Sequence, residues 1–367
     1  SRRQRQMCIR DSIAIRLVNC ARLISGRLPG SLAQTNIVAN MLFGAISGSG
    51  TAAAAAIGGT MAPIELEEGY DKDYVAAVNI ASAPTGQLIP PSNTLIVYAT
   101  VAGSVSVAAL FMAGYIPGIA WGISLMFIAG YMAKKRGYVS TFSVTPKEAI
   151  KVLWDALPSL LLIIIVIGGI LKGVFTATEG SAIAVVYALI LSLCYRSLKI
   201  KDLPSIILSS CKTTCIVIFM IGVSSIMSWV MAYTMIPTAI ANAMLSLSSN
   251  KYVILLLMNV ILLVVGTFMD PTPAVLIFTP IFLPICQSFG MDPVQFGIMI
   301  VFNLCIGTIT PPVGVILFTG CKVVGISIEG VIKTLLPFFA AIAVVLLLVT
   351  YVPAMSMWIP SMLGLVK

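Results

Sequence analysis

The sequence predicts an all-α polytopic membrane protein made of two inverted repeats, each with a re-entrant helical hairpin and a broken transmembrane helix. Three observations predict this. Of 367 residues, 59% are hydrophobic and 10% charged, and the mean hydropathy is +1.05, a balance foreign to soluble domains. Two apolar stretches carry proline pairs at their centres, Ile89-Pro90-Pro91-Ser92-Asn93-Thr94 and Thr310-Pro311-Pro312-Val313-Gly314. Each stretch is long enough to cross a bilayer at about 20 residues per crossing. The basic residues behind the net charge of +9 gather in a few loops, as topology signals do.

A proline pair removes backbone donors and clashes with the preceding turn. A helix therefore breaks there and leaves main-chain groups unpaired. At membrane depth such groups persist only inside protein or facing a polar cavity. Histidine is absent, which removes the commonest metal ligand and general base. The eight cysteines lie among apolar residues and read as packing groups. An intramembrane aspartyl protease needs two carboxylates sharing a proton, and a metalloprotease needs histidines. The sequence offers neither, so it predicts no enzyme.

Taken in order, residues 1–12 are polar and resemble a translated sequencing adapter, or else a basic cytoplasmic end, and are left out of the fold argument. Residues 13–30 are a basic lead-in. The first repeat, 31–132, holds a hairpin over 31–63 with its tip at Ser47-Gly48-Ser49-Gly50-Thr51, a broken helix over 74–102 and a plain helix over 105–132. One continuous small-residue helix is the alternative to that hairpin. Glu65–Asp73 reads as a charged surface loop. Residues 133–250 hold scaffold helices, loops and a connector, including an interfacial helix over 145–153, spans over 156–171, 179–195 and 206–232, and the start of the second repeat. The second repeat core, 251–352, holds a hairpin over 251–289 with the tip Asp270-Pro271-Thr272-Pro273, a broken helix over 292–324 and a helix over 329–352, before a tail over 353–367. Trp121, Trp154, Trp229 and Trp358 mostly fall near span ends and read as interface anchors. Lys172 and Glu179 bracket one turn, where they could pair or simply snorkel.

The halves read alike: 44–63 matches 266–284 as tip and return arm, and 86–98 matches 307–318 as the break. If Lys134-Lys135-Arg136 is cytoplasmic, two further crossings bring Arg196, Lys199 and Lys201 back to the same side. Counting on, the first hairpin opens to the cytoplasm and the second to the opposite face. Inverted repeats with paired broken helices point to alternating access around a midplane site.

Together, Ile46-Ser47-Gly48-Ser49-Gly50, Ile89-Pro90-Pro91-Ser92-Asn93-Thr94, Asp270-Pro271 and Gly307-Thr308-Ile309-Thr310-Pro311-Pro312-Val313-Gly314 resemble the large membrane subunit of tripartite ATP-independent periplasmic (TRAP) transporters. Phe175-Thr176-Ala177-Thr178-Glu179 resembles a further family element, with Ala177 where proline is usual. The resemblance runs from about Arg16 to the C-terminus. Family members begin with additional helices, so the expectation is an N-terminally truncated chain. The resemblance implies an elevator-type fold like that of the ion-transporter superfamily. It implies sodium-coupled uptake of an organic acid such as a dicarboxylate, sugar acid or sialic acid. It also implies a small membrane subunit, a periplasmic substrate-binding protein and a bacterial inner-membrane location. No cofactor is implied beyond sodium as coupling ion.

Sodium needs oxygen ligands, which a hairpin tip facing an unwound span supplies at short range. The candidates are Ser47, Gly48 and Ser49 with Pro91, Ser92 and Asn93 in the first half. In the second they are Gly266, Thr267 and Asp270 with Thr310, Pro311 and Val313. A substrate carboxylate suits the amide-rich helix starts exposed by the breaks, with Ser49, Asn93 and Thr94 as donors. Capping of the half-helix is the plainer role for Ser92–Thr94. A stand-alone divalent-anion/sodium symporter is the alternative, since its tips resemble Ser92-Asn93-Thr94. The second half lacks a second Ser-Asn-Thr. Reporter fusions after residues 136 and 201 are expected to score on the same face of the membrane; opposite faces overturn the inverted arrangement.

Overall fold

In the computed structural model, residues 2–26, 28–103, 105–138, 146–194, 200–235, 240 and 250–366 are described. All their regular structure is helical, and six helices are long and apolar enough to cross a membrane. The chain is a multi-pass, all-α membrane protein. The basic lead-in as far as Ser25 lies in α1 (Arg2–Ser25), which also takes in residues 2–12.

The first hairpin is α2 (Ser31–Ser47) and α3 (Gly50–Glu67), joined by Gly48 and Ser49. Gly48 has φ 61°, a left-handed conformation that costs glycine little and other residues more. Ser49 then caps α3, its Oγ accepting from the Ala52 amide at 3.4 Å. The first broken helix is α4 (Lys72–Ser82), a 3-10 turn (Ala83–Gln87) and α5 (Asn93–Ala102). α6 (Val107–Arg136) completes this half and ends on the Lys-Lys-Arg run.

The second half repeats the pattern. α10 (Lys251–Phe268) and α11 (Pro271–Ser288) form a hairpin. α12 (Pro293–Gly307) and α13 (Val315–Val324) form the broken helix, and α14 (Ile328–Tyr351) follows. Between the halves run α7 (Pro146–Leu171), α8 (Ala177–Cys194) and α9 (Leu203–Tyr233).

The halves interlock. The return arm α3 packs on α13 of the other half, and α11 packs on α5. Likewise α6 packs on α12, and α14 on α4. Within each half, the first hairpin arm crosses its own broken helix at a pair of glycines. A Cβ on Gly44 would sit 2.2 Å from the Gly86 Cα, and one on Gly307 would sit 2.4 Å from the Gly266 Cα. Only backbones without side chains pass this closely. Buried amides flank both crossings: Asn40 Nδ2 donates to Asn79 Oδ1 at 3.2 Å, and Asn303 Nδ2 to Asn259 Oδ1 at 2.7 Å.

Several sequence expectations are corrected. The interfacial helix over 145–153 and the span over 156–171 are one helix, α7, which carries Pro158 within it. The tail holds a helix, α15 (Ala354–Met362), packed on α6. The connector is mostly outside the described residues, as are 195–199 of the basic loop. Trp121 is fully buried, its Nε1 donating to the Ala81 carbonyl at 3.0 Å and its ring against Phe302. It anchors the core; Trp154, Trp229 and Trp358 are exposed. Glu179 bonds the Thr176 amide (2.7 Å) and hydroxyl, and its own amide donates to Thr176 Oγ1. This is a capping box, so the carboxylate serves the start of α8.

The charged loop is also only partly a surface turn. Glu65 is fully buried in the last turns of α3. Arg136 pairs with Asp71 and Asp73, at 2.9 and 2.7 Å, and lies over the Tyr74 ring. That guanidinium, with help from the Thr334 hydroxyl, holds the Asp73 carboxyl down at about 2. Depression means that Asp73 contributes its stabilisation above the ordinary carboxylate range and loses it only as pH falls towards 2.

Gly86→Ala and Gly307→Ala are each expected to lower the melting temperature in detergent, with an overpacking cost of about 1–3 kcal/mol. Gly59→Ala is the control, because a Cβ there meets nothing within 4 Å. Equal melting temperatures for all three variants would contradict the crossing geometry.

Candidate functional site

Each hairpin tip meets the break of its own half. At the first, a Cβ on Gly48 would lie 3.2 Å from the Pro91 carbonyl oxygen and 3.5 Å from the Asn93 amide nitrogen. The tip therefore approaches the unwound segment so closely that a side chain at position 48 would touch the Pro91 and Asn93 main chain. Ser47 Oγ donates to the Ser49 carbonyl at 3.4 Å, and Ser49 Oγ is 3.1 Å from Thr51 Oγ1. Ser47 and Ser49 are partly exposed, and Asn93 is exposed.

Ser92 is buried. Its hydroxyl donates to the Gln87 carbonyl and accepts from the Leu95 amide. Its side chain thus ties the unwound segment to the start of α5, the capping role, worth about 1 kcal/mol. Thr94 is 2% exposed, whereas Ser49 is partly exposed and Asn93 exposed. Of the three residues expected to meet a substrate, two are presented and one is buried.

At the second tip the Gly314 amide donates to the Thr267 carbonyl at 3.2 Å. The segment folds back on itself: the Thr308 carbonyl accepts from the amides of Ile316 and Leu317, and Thr310 Oγ1 donates to the Ile306 carbonyl at 2.7 Å. Gly314, at φ 55°, makes that reversal. Gly266 and Thr267 are buried, and Asp270 and Val313 are exposed. Asp270 occupies the N-cap position of α11 without a side-chain cap bond there. Its carboxylate lies beside the Thr272 amide and hydroxyl.

The two breaks touch each other through Cys305, whose Sγ donates to Gln87 Oε1 at 3.1 Å. Sequence reading did not single out either residue; a polar Gln87 in an apolar stretch, separated from the proline pair by Leu88 and Ile89, was the available signal.

A cavity of about 720 Å³ opens beside the first tip, lined by Ser47, Ser49, Thr51, Ala52 and Ala55 of the hairpin and by Ser209, Ser210 and Thr214 of α9. Its lining carries six serine or threonine hydroxyls and no charged side chain. The amino end of α3 opens on it. Such a space offers hydrogen-bond donors and a weak positive potential, and holds no group suited to acid–base or nucleophilic work.

The sequence profile of the tripartite ATP-independent periplasmic transporter DctM component matches residues 8–355. An uncharacterized protein, YgiK, of Salmonella typhimurium is 54% identical over 95% of this chain and 80% of its own length. The C4-dicarboxylate TRAP transporter large permease protein DctM of Pseudomonas aeruginosa is 37% identical, over 96% of this chain and 83% of its own. The sialic acid TRAP transporter large permease protein SiaM of Vibrio cholerae is 35% identical, over 95% and 82%.

Proposed function

The chain belongs to the DctM family of tripartite ATP-independent periplasmic transporters, and from that premise we propose that it is the large permease of a sodium-coupled organic-acid importer. One observation carries the reading: each hairpin tip meets an unwound segment backbone to backbone, Gly48 against Pro91 and Asn93, and Thr267 against Gly314. Carbonyls and hydroxyls that a continuous helix would consume are concentrated there in two copies.

In this reading one sodium ion is held by Ser47, Gly48 and Ser49 with Pro91, Ser92 and Asn93. For Ser92 the ligand is the main chain, because its hydroxyl is engaged by Gln87 and Leu95. A second ion is held by Gly266, Thr267 and Asp270 with Thr310, Pro311 and Val313. The organic acid occupies the hydroxyl-lined cavity between the first tip and α9, its carboxylate towards the amino end of α3 and its other polar atoms on Ser49 and Asn93. Thr94, being buried, is dropped from that contact. The substrate belongs to the class that includes the dicarboxylates and sialic acid named for the relatives.

Transport proceeds by alternating access of the elevator type. The hairpins and broken helices move as one body against α7, α8 and α9. α9 supports this division, since Ile218, Phe219, Ile226 and Trp229 are all exposed along it and present an apolar surface suited to lipid and to a small membrane subunit. A periplasmic binding protein delivers the acid, and the location is the bacterial inner membrane.

The test is uptake into proteoliposomes by the complete transporter, using labelled C4-dicarboxylate and sialic acid in sodium or choline chloride. Asn93→Ala and Asp270→Ala are each expected to raise the half-saturating sodium concentration by tenfold or more, about 1.4 kcal/mol. Wild-type uptake that ignores sodium would refute the coupling, and unchanged sodium dependence in both variants would refute the site.

A further inference from the structure

Glu65 is the buried carboxyl for which the transport reading has no use. It is 0% exposed, as are Asn36, Asn40, Asn79 and Ser82. These five residues form one chain of hydrogen bonds. Both Glu65 oxygens lie 3.3 Å from Asn36 Nδ2. Asn36 Oδ1 accepts from Asn40 Nδ2 at 2.8 Å, and that nitrogen also reaches Asn79 Oδ1 (3.2 Å) and Ser82 Oγ (2.8 Å). Asn79 Nδ2 returns to α3 by donating to the Ala54 carbonyl at 3.0 Å. The chain thus ties both hairpin arms to α4. It ends at Ser82, immediately before the turn that opens the first break, and at Asn40, one helical turn before the Gly44–Gly86 crossing.

We propose that Glu65 is a positioning residue that carries a proton, and that this proton keeps the first hairpin in register with the first broken helix. The inference rests on reading 47–49 and 91–93 as a cation site.

Ionising a buried carboxyl that faces an amide forfeits the hydration of its charge, and the group retains its proton instead. A neutral carboxyl still accepts from the Asn36 Nδ2 that faces it, so protonation keeps this contact without burying a charge. Burial pushes the Glu65 carboxyl up to about 8, against the opposing effect of Asn36. Glu65 lies at the end of α3 away from the tip, and α3 is not among the helices apolar enough to span.

Among the described residues, burial and the Asn36 amide are what act on the Glu65 carboxyl, and the charged and titratable groups of the elements packed around it are the following. Glu68 and Tyr70 follow on the next turn, and Tyr74 heads α4. Tyr70 and Tyr74 both lie within electrostatic reach of Glu65. Arg136, near Tyr138 at the end of α6, is engaged by Asp71 and Asp73. α2 brings amides, α13 carries an exposed Lys322, and α1 carries Arg22. A cavity of about 390 Å³ bordered by Arg22, Glu68, Tyr70, Arg136 and Tyr138 reaches this end of the hairpin. Tyr70 forms its wall, and its amide donates to the Glu65 backbone carbonyl at 2.9 Å, which places the cavity beside the end of α3.

The sign follows from linkage. A carboxyl raised in the folded state binds more protons folded than unfolded between its ordinary range and about 8. Its stabilisation is complete at low pH and is lost as pH rises through that window. The fraction in register falls from roughly nine-tenths at pH 7 to one-tenth at pH 9, so apparent sodium affinity falls about tenfold.

The experiment compares the wild type and Glu65→Gln of the complete transporter in nanodiscs between pH 6 and 9.5. Three readouts are used: sodium chloride titration against choline chloride followed by tryptophan emission, melting temperature, and infrared absorption in the protonated-carboxyl region. The wild type is expected to show a carboxylic-acid band at pH 7 that is lost by pH 9.5 and absent from the variant. It should also show a tenfold weakening of sodium binding and a falling melting temperature, while the variant stays flat in both. The absence of that band from the wild type at pH 7, or an alkaline loss of melting temperature kept in the variant, overturns the proposal. The wild-type spectrum decides even where the variant does not fold. Should sodium not bind at all, the coupling reading fails, and the band and the melting curves still judge the proton.

Discussion

Main-chain polarity inside a membrane has to find its partners within the protein, and the rest of this structure depends on how that is achieved. Both broken helices release amides and carbonyls where lipid offers none. The remedy is close approach: Gly44 against Gly86 and Gly266 against Gly307 let one backbone lie on another. The tips of the two hairpins then arrive at the unwound segments. Side chains at those four positions would hold the hairpins off and leave the breaks unsupported.

The two halves apply this plan with different chemistry. The first break is braced by a side chain, Ser92, between Gln87 and Leu95. The second is braced by main chain, with the Thr308 carbonyl accepting twice and Gly314 reversing the path. The first tip consequently keeps its hydroxyls at partly exposed positions beside a roomy cavity, while the second tip presents one acid, Asp270, to its surroundings. Interlocking of the return arms, α3 on α13 and α11 on α5, makes each half part of the other's support.

Much of this was legible because it depends on local covalent facts. Proline pairs break helices whatever surrounds them, and glycine at 48 marks a left-handed link. The matched glycines at 44, 86, 266 and 307 could be aligned by eye, although their pairwise contact could not. What escaped depends on partners distant in sequence. Glu65 sits in a run of acids and reads as solvated, yet Asn36, on the facing arm, draws it inside. Trp121 reads as one more interface anchor, yet the Ala81 carbonyl and Phe302 enclose it. Thr94 looked equivalent to Asn93 until helical phase turned it inward. In α7 the charged start suggested a separate interfacial element, where tertiary packing against α1 and α8 accompanies a single helix.

The isolation of Trp121 has a practical corollary. Its indole is shut in beside α4 and α12, while Trp154, Trp229 and Trp358 lie on the outside. A brominated acyl chain dissolved in the surrounding bilayer can collide with the outer three and not with the fourth. The residual, unquenched fluorescence is then a private optical signal from the interior, available without introducing a single label.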